Sequence, residues 1–570
     1  FEQECGLISY DGKRHSQDNA IAPLGTFVSS AYVIVGGYAL AMVIFAIWAR
    51  RDLGRGDESY YLAGRSLTGP ILLVTMAATN FSAFTVYGSS GASYRIGLSF
   101  LPIMAFGTGF MAVSMYILGR KIRSRSVQHG AMTAPEMVMG QTGSRSAQLT
   151  MASVLVLATI PYLALQPRAA GIVFSALFGG PDWIGAVLVT LLVVAYTLTG
   201  GLKAVVRTDA VQGAIALGLL WLGLAMVVND AGGISTAMDA ISSSESTEEL
   251  LGREGNYTLL IWVSTMVLWL FADPMFPQLY QRLCAAESDA AIGRMATLYP
   301  AVAWLAFIPP ILIGTIGHLS YPDLDRAGSD NILPTMIMDV GGEWLGGLVL
   351  VAGLSALMST MDSQLLATGS LVTRDLLDKE SPEDWSRESV IISLSLLGLA
   401  LSVWSDLSIL DLGLLAFSMY AVMFPSVLAS AHFDDIDGRA VVASILAGEA
   451  VVILAVFSPE SFSGWWVEPV RGAVPTAVIP SLFAALTGLV VTQRYFKMKE
   501  EFSWRFEINN SDIAPLAGLL VVFVMAQDFW WWGETETWAL GLPRWIWWSA
   551  ALSIAQTAIM ARWVGKVPSR

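Results

Sequence analysis

The chain has 570 residues, 55% of them hydrophobic and only 14% charged, with a mean hydropathy of +0.59. A water-soluble chain carries roughly a quarter charged residues, so this composition excludes a soluble globular protein. A net charge of −14 argues against a nucleic-acid partner, and four histidines with two cysteines, Cys5 and Cys284, supply neither a metal cluster nor a disulfide framework.

Taken in order, residues 1–26 read as a polar extracellular tail without the charged-then-apolar pattern of a signal peptide. Apolar segments follow at about 27–48, 70–95, 99–119, 147–178, 183–199, 210–229, 257–281, 298–318, 344–373, 388–404, 411–431, 439–458, 474–495, 513–532 and 543–563. These are fifteen candidate spans, each near the roughly 20 residues that a membrane-crossing helix needs. With the N-terminus outside, 24 of the Lys and Arg residues fall in cytoplasmic loops and six in outer ones, with Arg95 and Arg168 left in or at the edge of spans. That bias predicts an outer N-terminus and a cytoplasmic C-terminus in the plasma membrane. The longest loops, 230–256 and 319–343, are outer, acidic and long enough for short surface helices.

Three segments depart from plain apolar spans. In 70–95 the stretch Ala77-Ala78-Thr79-Asn80-Phe81-Ser82 is small and polar, which suits a helix that unwinds at the midplane and frees its carbonyls for a cation. In 257–281, Asp273-Pro274 and Phe276-Pro277 interrupt a second span, since proline removes backbone hydrogen bonds. In 344–373, Ser355, Ser359, Asp362, Ser363 and Ser370 recur every three, four or seven residues, with Thr360 beside them. That spacing draws a polar stripe down one helix face. Hydroxyl, carbonyl and carboxylate oxygens suit a hard cation, and an ionisable group at membrane depth is costly unless it is used. Small hydroxylated residues also serve as helix–helix glue. Two interrupted spans five apart point to inverted halves, about 70–230 and 257–431.

The stretches YYLAGRSL (60–67), ATNFSAF (78–84), TAPEMV (133–138), TGGLKAVVRTDAVQG (199–213), the QR pair at 281–282 and SALMSTMDSQLLATGSLVTRDL (355–376) together resemble the sodium/solute symporter family. The resemblance spans about residues 27–435. It implies an all-α LeuT-type core of five plus five helices at 70–431, one preceding helix at 27–48, and about four further helices in 439–570. By motif it implies a sodium site built from Ala78, Phe81, Ala356, Ser359 and Thr360. It also implies a second ion site or ion route through Asp209, Asp362 and Ser363. Asp209 would otherwise be a helix cap or a partner of Arg207.

The solute is expected to meet Asn80, Ser82, Thr85, Gln166, Arg168, Gln278, Phe417 and Tyr420. Arg168, read near the middle of its span and facing the segment 70–95, predicts a carboxylate-bearing solute; pairing with an internal acid such as Asp273, or snorkelling, is the other reading. A neutral solute such as a sugar or proline is the alternative. Within this reading the chain is no enzyme: sodium is the coupling ion, no other cofactor is implied, and the bilayer is its surroundings. A solute sensor on the same fold and a passive channel are the rival functions.

Overall fold

The computed structural model of the chain describes residues 24–49, 56–198, 201–244, 246–253, 259–326, 328–378, 384–457, 473–497 and 510–565. Most of the expected tail, Cys5 and the inner basic residues Arg50, Arg51, Arg55, Lys379, Lys499, Arg505, Lys566 and Arg570 lie outside them. Among the described residues the architecture is helical, and the only bridges are isolated ones, Leu67 with Ala286 and Thr537 with Pro543.

All fifteen expected segments fall on helix. In chain order they are α1 (Leu24–Ala49), α2 (Gly69–Asn80) with α3 (Phe84–Ser99), α4 (Pro102–His129), α5 (Arg145–Phe178), α6 (Asp182–Thr197) and α7 (Leu202–Asp230). Then come α8 (Leu259–Met275) with α9 (Pro277–Ala285), α10 (Asp289–Ser320), α11 (Gly347–Ser370), α12 (Asp384–Trp404) and α13 (Ile409–His432). The last are α14 (Gly438–Phe457), α15 (Ala473–Phe496), α16 (Asn510–Met525) and α17 (Arg544–Val564). Among the described residues ten helices are long and apolar enough to cross a membrane, or up to twelve with each bent pair taken as one span. The two longest loops, expected outside, carry the short helices Ile234–Ser242 and Ile332–Gly341.

Helix α11 is the axis of the molecule. Residues 349–370 are buried without exception, as expected for a helix surrounded by others rather than one with an outer face. It packs on α7, α5 and α2. Its glycines allow close approach: a Cβ at Gly353 would lie 1.8 Å from the Tyr87 hydroxyl. The short helix Ala134–Thr142 begins where the sequence TAPE provides its own cap, Thr133 Oγ1 accepting the Glu136 amide at 3.1 Å.

The C-terminal helices are tied to the rest. α14 packs on α15 and α17 on α10. Arg253, one of the six basic residues the sequence reading places in outer loops, is fully buried. It pairs with Asp528 at 2.5 Å and sits 4.8–5.1 Å from the ring centroids of Trp262, Trp532 and Trp545. Three indole faces replace the lost water around the guanidinium.

Candidate functional site

The two interrupted spans are bent as the sequence predicts, α2/α3 by 62° and α8/α9 by 56°. At the first break, side chains capture the backbone amides. A continuous helix would give the amides of Ser82, Ala83 and Phe84 to the carbonyls of Ala78, Thr79 and Asn80. Here they bond to Thr85 Oγ1 (3.3 Å), Gln166 Oε1 (3.1 Å) and Ser82 Oγ (3.2 Å). Of the carbonyls so released, those of Ala78 and Thr79 meet α11, while that of Asn80 accepts from Thr85 Oγ1 at 3.5 Å.

Ser359 and Thr360 meet them. Ser359 Oγ lies 3.0 Å from the Ala78 carbonyl and 2.6 Å from Asp209 Oδ1. Thr360 Oγ1 lies 3.0, 3.4 and 3.2 Å from the carbonyls of Thr79, Phe81 and Ala356. The Ala356 carbonyl already accepts the Thr360 amide within the helix, and a hydroxyl has one proton to donate, so at least one of the Thr79 and Phe81 carbonyls needs another partner. Ser359 gives its proton best to the carboxylate, the stronger acceptor, which leaves Ala78 in the same position. All five oxygens expected to hold sodium are thus brought together at one crossing, with the Thr79 carbonyl added. Hard, mostly neutral oxygens in excess of donors suit a small hard cation.

Asp209 is neither a cap nor a partner of Arg207. It is fully buried and pairs with Arg282 at 2.7 Å, while accepting from Thr75 (2.5 Å) and Thr79 (3.2 Å). Arg282, assigned from sequence to an inner loop, lies in α9, where the bend turns it inward. It also donates to Thr75 Oγ1 (2.8 Å), Ser363 Oγ (2.8 Å) and the Gln278 carbonyl (3.0 Å). Ser363 in turn donates to Asp362 Oδ1 (3.2 Å), whose Oδ2 has no hydrogen-bond partner. Asp209, Asp362 and Ser363 therefore form one network with the Ser359 site.

The expected solute residues divide. Asn80 Nδ2 donates to Asp273 Oδ2 (3.2 Å) and to the Tyr299 hydroxyl (2.9 Å). Ser82, Thr85 and Gln166 stand at the first break as caps, and Gln278, with both amide atoms unpartnered, follows the second. Phe417 lies among Phe84, Tyr162, Trp269 and Phe276. Tyr420 packs on Phe276 and donates to Thr159 at 2.7 Å.

Arg168 is not brought to the break. Two residues after Gln166, it points about 200° away around α5, and donates to the Ser405 carbonyl at 2.7 Å. There it lines a separate cavity of about 460 Å³ with Asp182, Trp183, Asn331 and Ser402. The sequence reading missed Thr75, Thr79, Arg282 and the placing of Asp273 beside Asn80. Thr75 and Thr79 are one helical turn apart, which was the available signal.

Polar networks close both ends. Arg326 holds Asp411 at 2.9 and 2.5 Å, and Asp330 accepts the Ile409 amide at 2.9 Å. At the other end Arg374 bridges Glu136 (2.6 Å) and Asp57 (2.7 Å), and Asp375 accepts from Thr133 and Gln148.

Residues 60–459 match the model of the sodium:solute symporter family. The sodium/pantothenate symporter of Haemophilus influenzae is 26% identical over 73% of this chain and 88% of its own. The sodium/proline symporter of Salmonella typhimurium is 26% identical over 73% of this chain and 86% of its own. In structure, a Na+-coupled sialic acid symporter in a substrate-bound outward-open state superposes with a TM-score of 0.66. That likeness covers 82% of this chain and 98% of the other at 18% identity, and speaks to the fold.

Proposed function

The chain belongs to the sodium:solute symporter family, and from that premise we propose that Ala78, Phe81, Ala356, Ser359 and Thr360 hold the sodium that drives a small organic solute across the membrane. It is a multi-pass membrane transporter that couples solute movement to sodium by alternating access. The observation that carries the site is the meeting of carbonyls released at the α2/α3 break with two hydroxyls that cannot satisfy them all. Because α2 ends in the sodium ligands and Asn80 reaches the second break, filling the ion site orders the solute site. The coupling is reciprocal.

Asp209 and Arg282 form the ion's inner route, and Asp362 with Ser363 its second station. The pairs Arg326–Asp411 and Arg374–Glu136 are the contacts that part as each end opens. Arg168 meets a carboxylate-bearing solute at the cavity beside Ser405 rather than at the break. The N-terminus faces outward and the C-terminus the cytoplasm, as the Lys and Arg distribution favours. One sodium entering at −100 mV supplies about 2.3 kcal/mol, and a tenfold gradient about 1.4 kcal/mol more, enough for a solute gradient of a few hundred-fold. Solute accumulation in vesicles, with and without a sodium gradient, tests this: a sensor binds without uptake, and a channel equilibrates without accumulating.

A further inference from the structure

At the second break stands a carboxylate that the ion site does not use. Asp273 closes the last turn of α8 and is 1% exposed. Its Oδ2 accepts from Asn80 at 3.2 Å, while its Oδ1 has no hydrogen-bond partner. Among the described residues no Lys, Arg or His nitrogen lies within ion-pair distance of it. Arg282, in the following helix, is committed to Asp209, Thr75, Ser363 and the Gln278 carbonyl. Arg168 is held at Ser405. A buried carboxylate left this way is costly, and it persists where a ligand completes it.

The surroundings specify which ligand. Trp269 lies one turn before Asp273 and Phe276 three residues after it. With Phe84, Tyr162 and Phe417 they form a cluster whose ring centroids are 4.8–5.7 Å apart. Sodium needs several oxygens at once. The one hydrogen bond Asp273 makes is with an amide donor, Asn80, which also donates to the Tyr299 hydroxyl, and the residues one turn before and three after Asp273 are rings of the aromatic cluster. A carboxylate next to an aromatic cluster is a setting that favours an organic ammonium, whose charge meets the carboxylate while its carbons and C–H groups lie on the rings.

We propose that Asp273, with the Trp269, Phe276 and Phe417 rings, is the site for a cationic nitrogen on the transported solute. The inference rests on the symport reading and deepens it. The solute carries an amine or alkylated ammonium, and a carboxylate elsewhere on it makes it a zwitterion. Asn80, itself held by the Tyr299 hydroxyl, sets the carboxylate's orientation.

The test uses the full-length purified protein in detergent, with thermal stabilisation by choline, glycine betaine, proline, pantothenate, lactate and glucose read in sodium and in potassium. Sodium-dependent stabilisation by at least one of the three ammonium-bearing probes is expected. Asp273→Asn should weaken that probe by roughly 10- to 100-fold, the loss of a hydrogen-bonded charge, with the sodium half-saturation moved less than threefold. Phe417→Leu, which keeps the carboxylate, should weaken it by a few-fold while sparing sodium affinity, and serves if Asp273→Asn does not fold. Stabilisation only by pantothenate, lactate or glucose overturns the proposal yet leaves sodium symport standing, as does stabilisation by none of the ammonium probes. Unchanged ammonium affinity in Asp273→Asn, or in Phe417→Leu when only that variant folds, also overturns it. So does an effect confined to sodium, which would make Asp273 an ion ligand. Stabilisation equal in sodium and potassium counts against the symport reading instead.

Discussion

Arg282 Nη2 stands 2.7 Å from Asp209 Oδ2, with neither side chain exposed, and Asp209 Oδ1 stands 2.6 Å from Ser359 Oγ. The pair ties the bent span α8/α9 to α7, and through Ser359 to the proposed sodium ligands on α11. A charge pair at this depth is worth little over an apolar substitute, but either partner alone is expensive.

Asp209→Asn and Arg282→Gln should each lower unfolding stability by about 3–5 kcal/mol. The double variant, with no lone charge, should recover more than half of that. Thermal unfolding of purified protein measures it. Asp209→Asn should also slow sodium-driven uptake, because Ser359 loses its carboxylate partner. Two near-neutral single variants would mean that water reaches the pair.

Gly353 marks where α11 touches Tyr87. Gly353→Ala sets a carbon 1.8 Å from the hydroxyl, so the helices must separate, and uptake should fall at least about tenfold with reduced stability. Gly218→Ala, with open space around its Cβ, should stay within about 0.5 kcal/mol of the parent. Equal behaviour of the two would rule out close packing at Gly353.

The Arg253 cage holds down the Trp-rich segment after α16. Arg253→Ala leaves Asp528 buried without its cation and should cost about 3–5 kcal/mol. Arg253→Lys keeps a charge but loses the flat guanidinium that stacks on three indoles, and should fall between. Limited proteolysis of that segment should accelerate in the same order.

What was legible in the sequence followed from short-range rules. Span positions come from apolar length, the two breaks from Asn80-Phe81-Ser82 and Phe276-Pro277, and the polar face of α11 from helical spacing. The Ser359 and Thr360 hydroxyls are a local pattern as well, so their meeting with released carbonyls could be anticipated from motif. The partners were not legible. Arg282 reads as a loop cation until the 56° bend turns α9 inward, and Arg253 reads as a loop cation as well until residues more than 270 positions later cover it. Arg168 was read as facing the break because depth was inferred without azimuth. Two residues along a helix reverse the face, so Gln166 reaches the break and Arg168 does not.

The positive charge distribution makes orientation testable. A cysteine in place of Ala20 should react with an impermeant thiol reagent outside intact cells, and one in place of Ser569 should not. Reversed labelling would invert the topology, and labelling of both from outside would require an even number of spans.

The central claim is that two hydroxyls on α11 and the carbonyls at the α2/α3 break are the sodium site. Its most direct measurement is the sodium dependence of solute uptake by the Ser359→Ala/Thr360→Ala double variant in proteoliposomes, with tight vesicles and confirmed insertion. Two of the five proposed ligands vanish, so the sodium concentration for half-maximal uptake should rise at least about tenfold, the equivalent of about 1.4 kcal/mol, while the solute's affinity at saturating sodium changes little. A sodium dependence identical to the parent's, with uptake intact, would contradict the account.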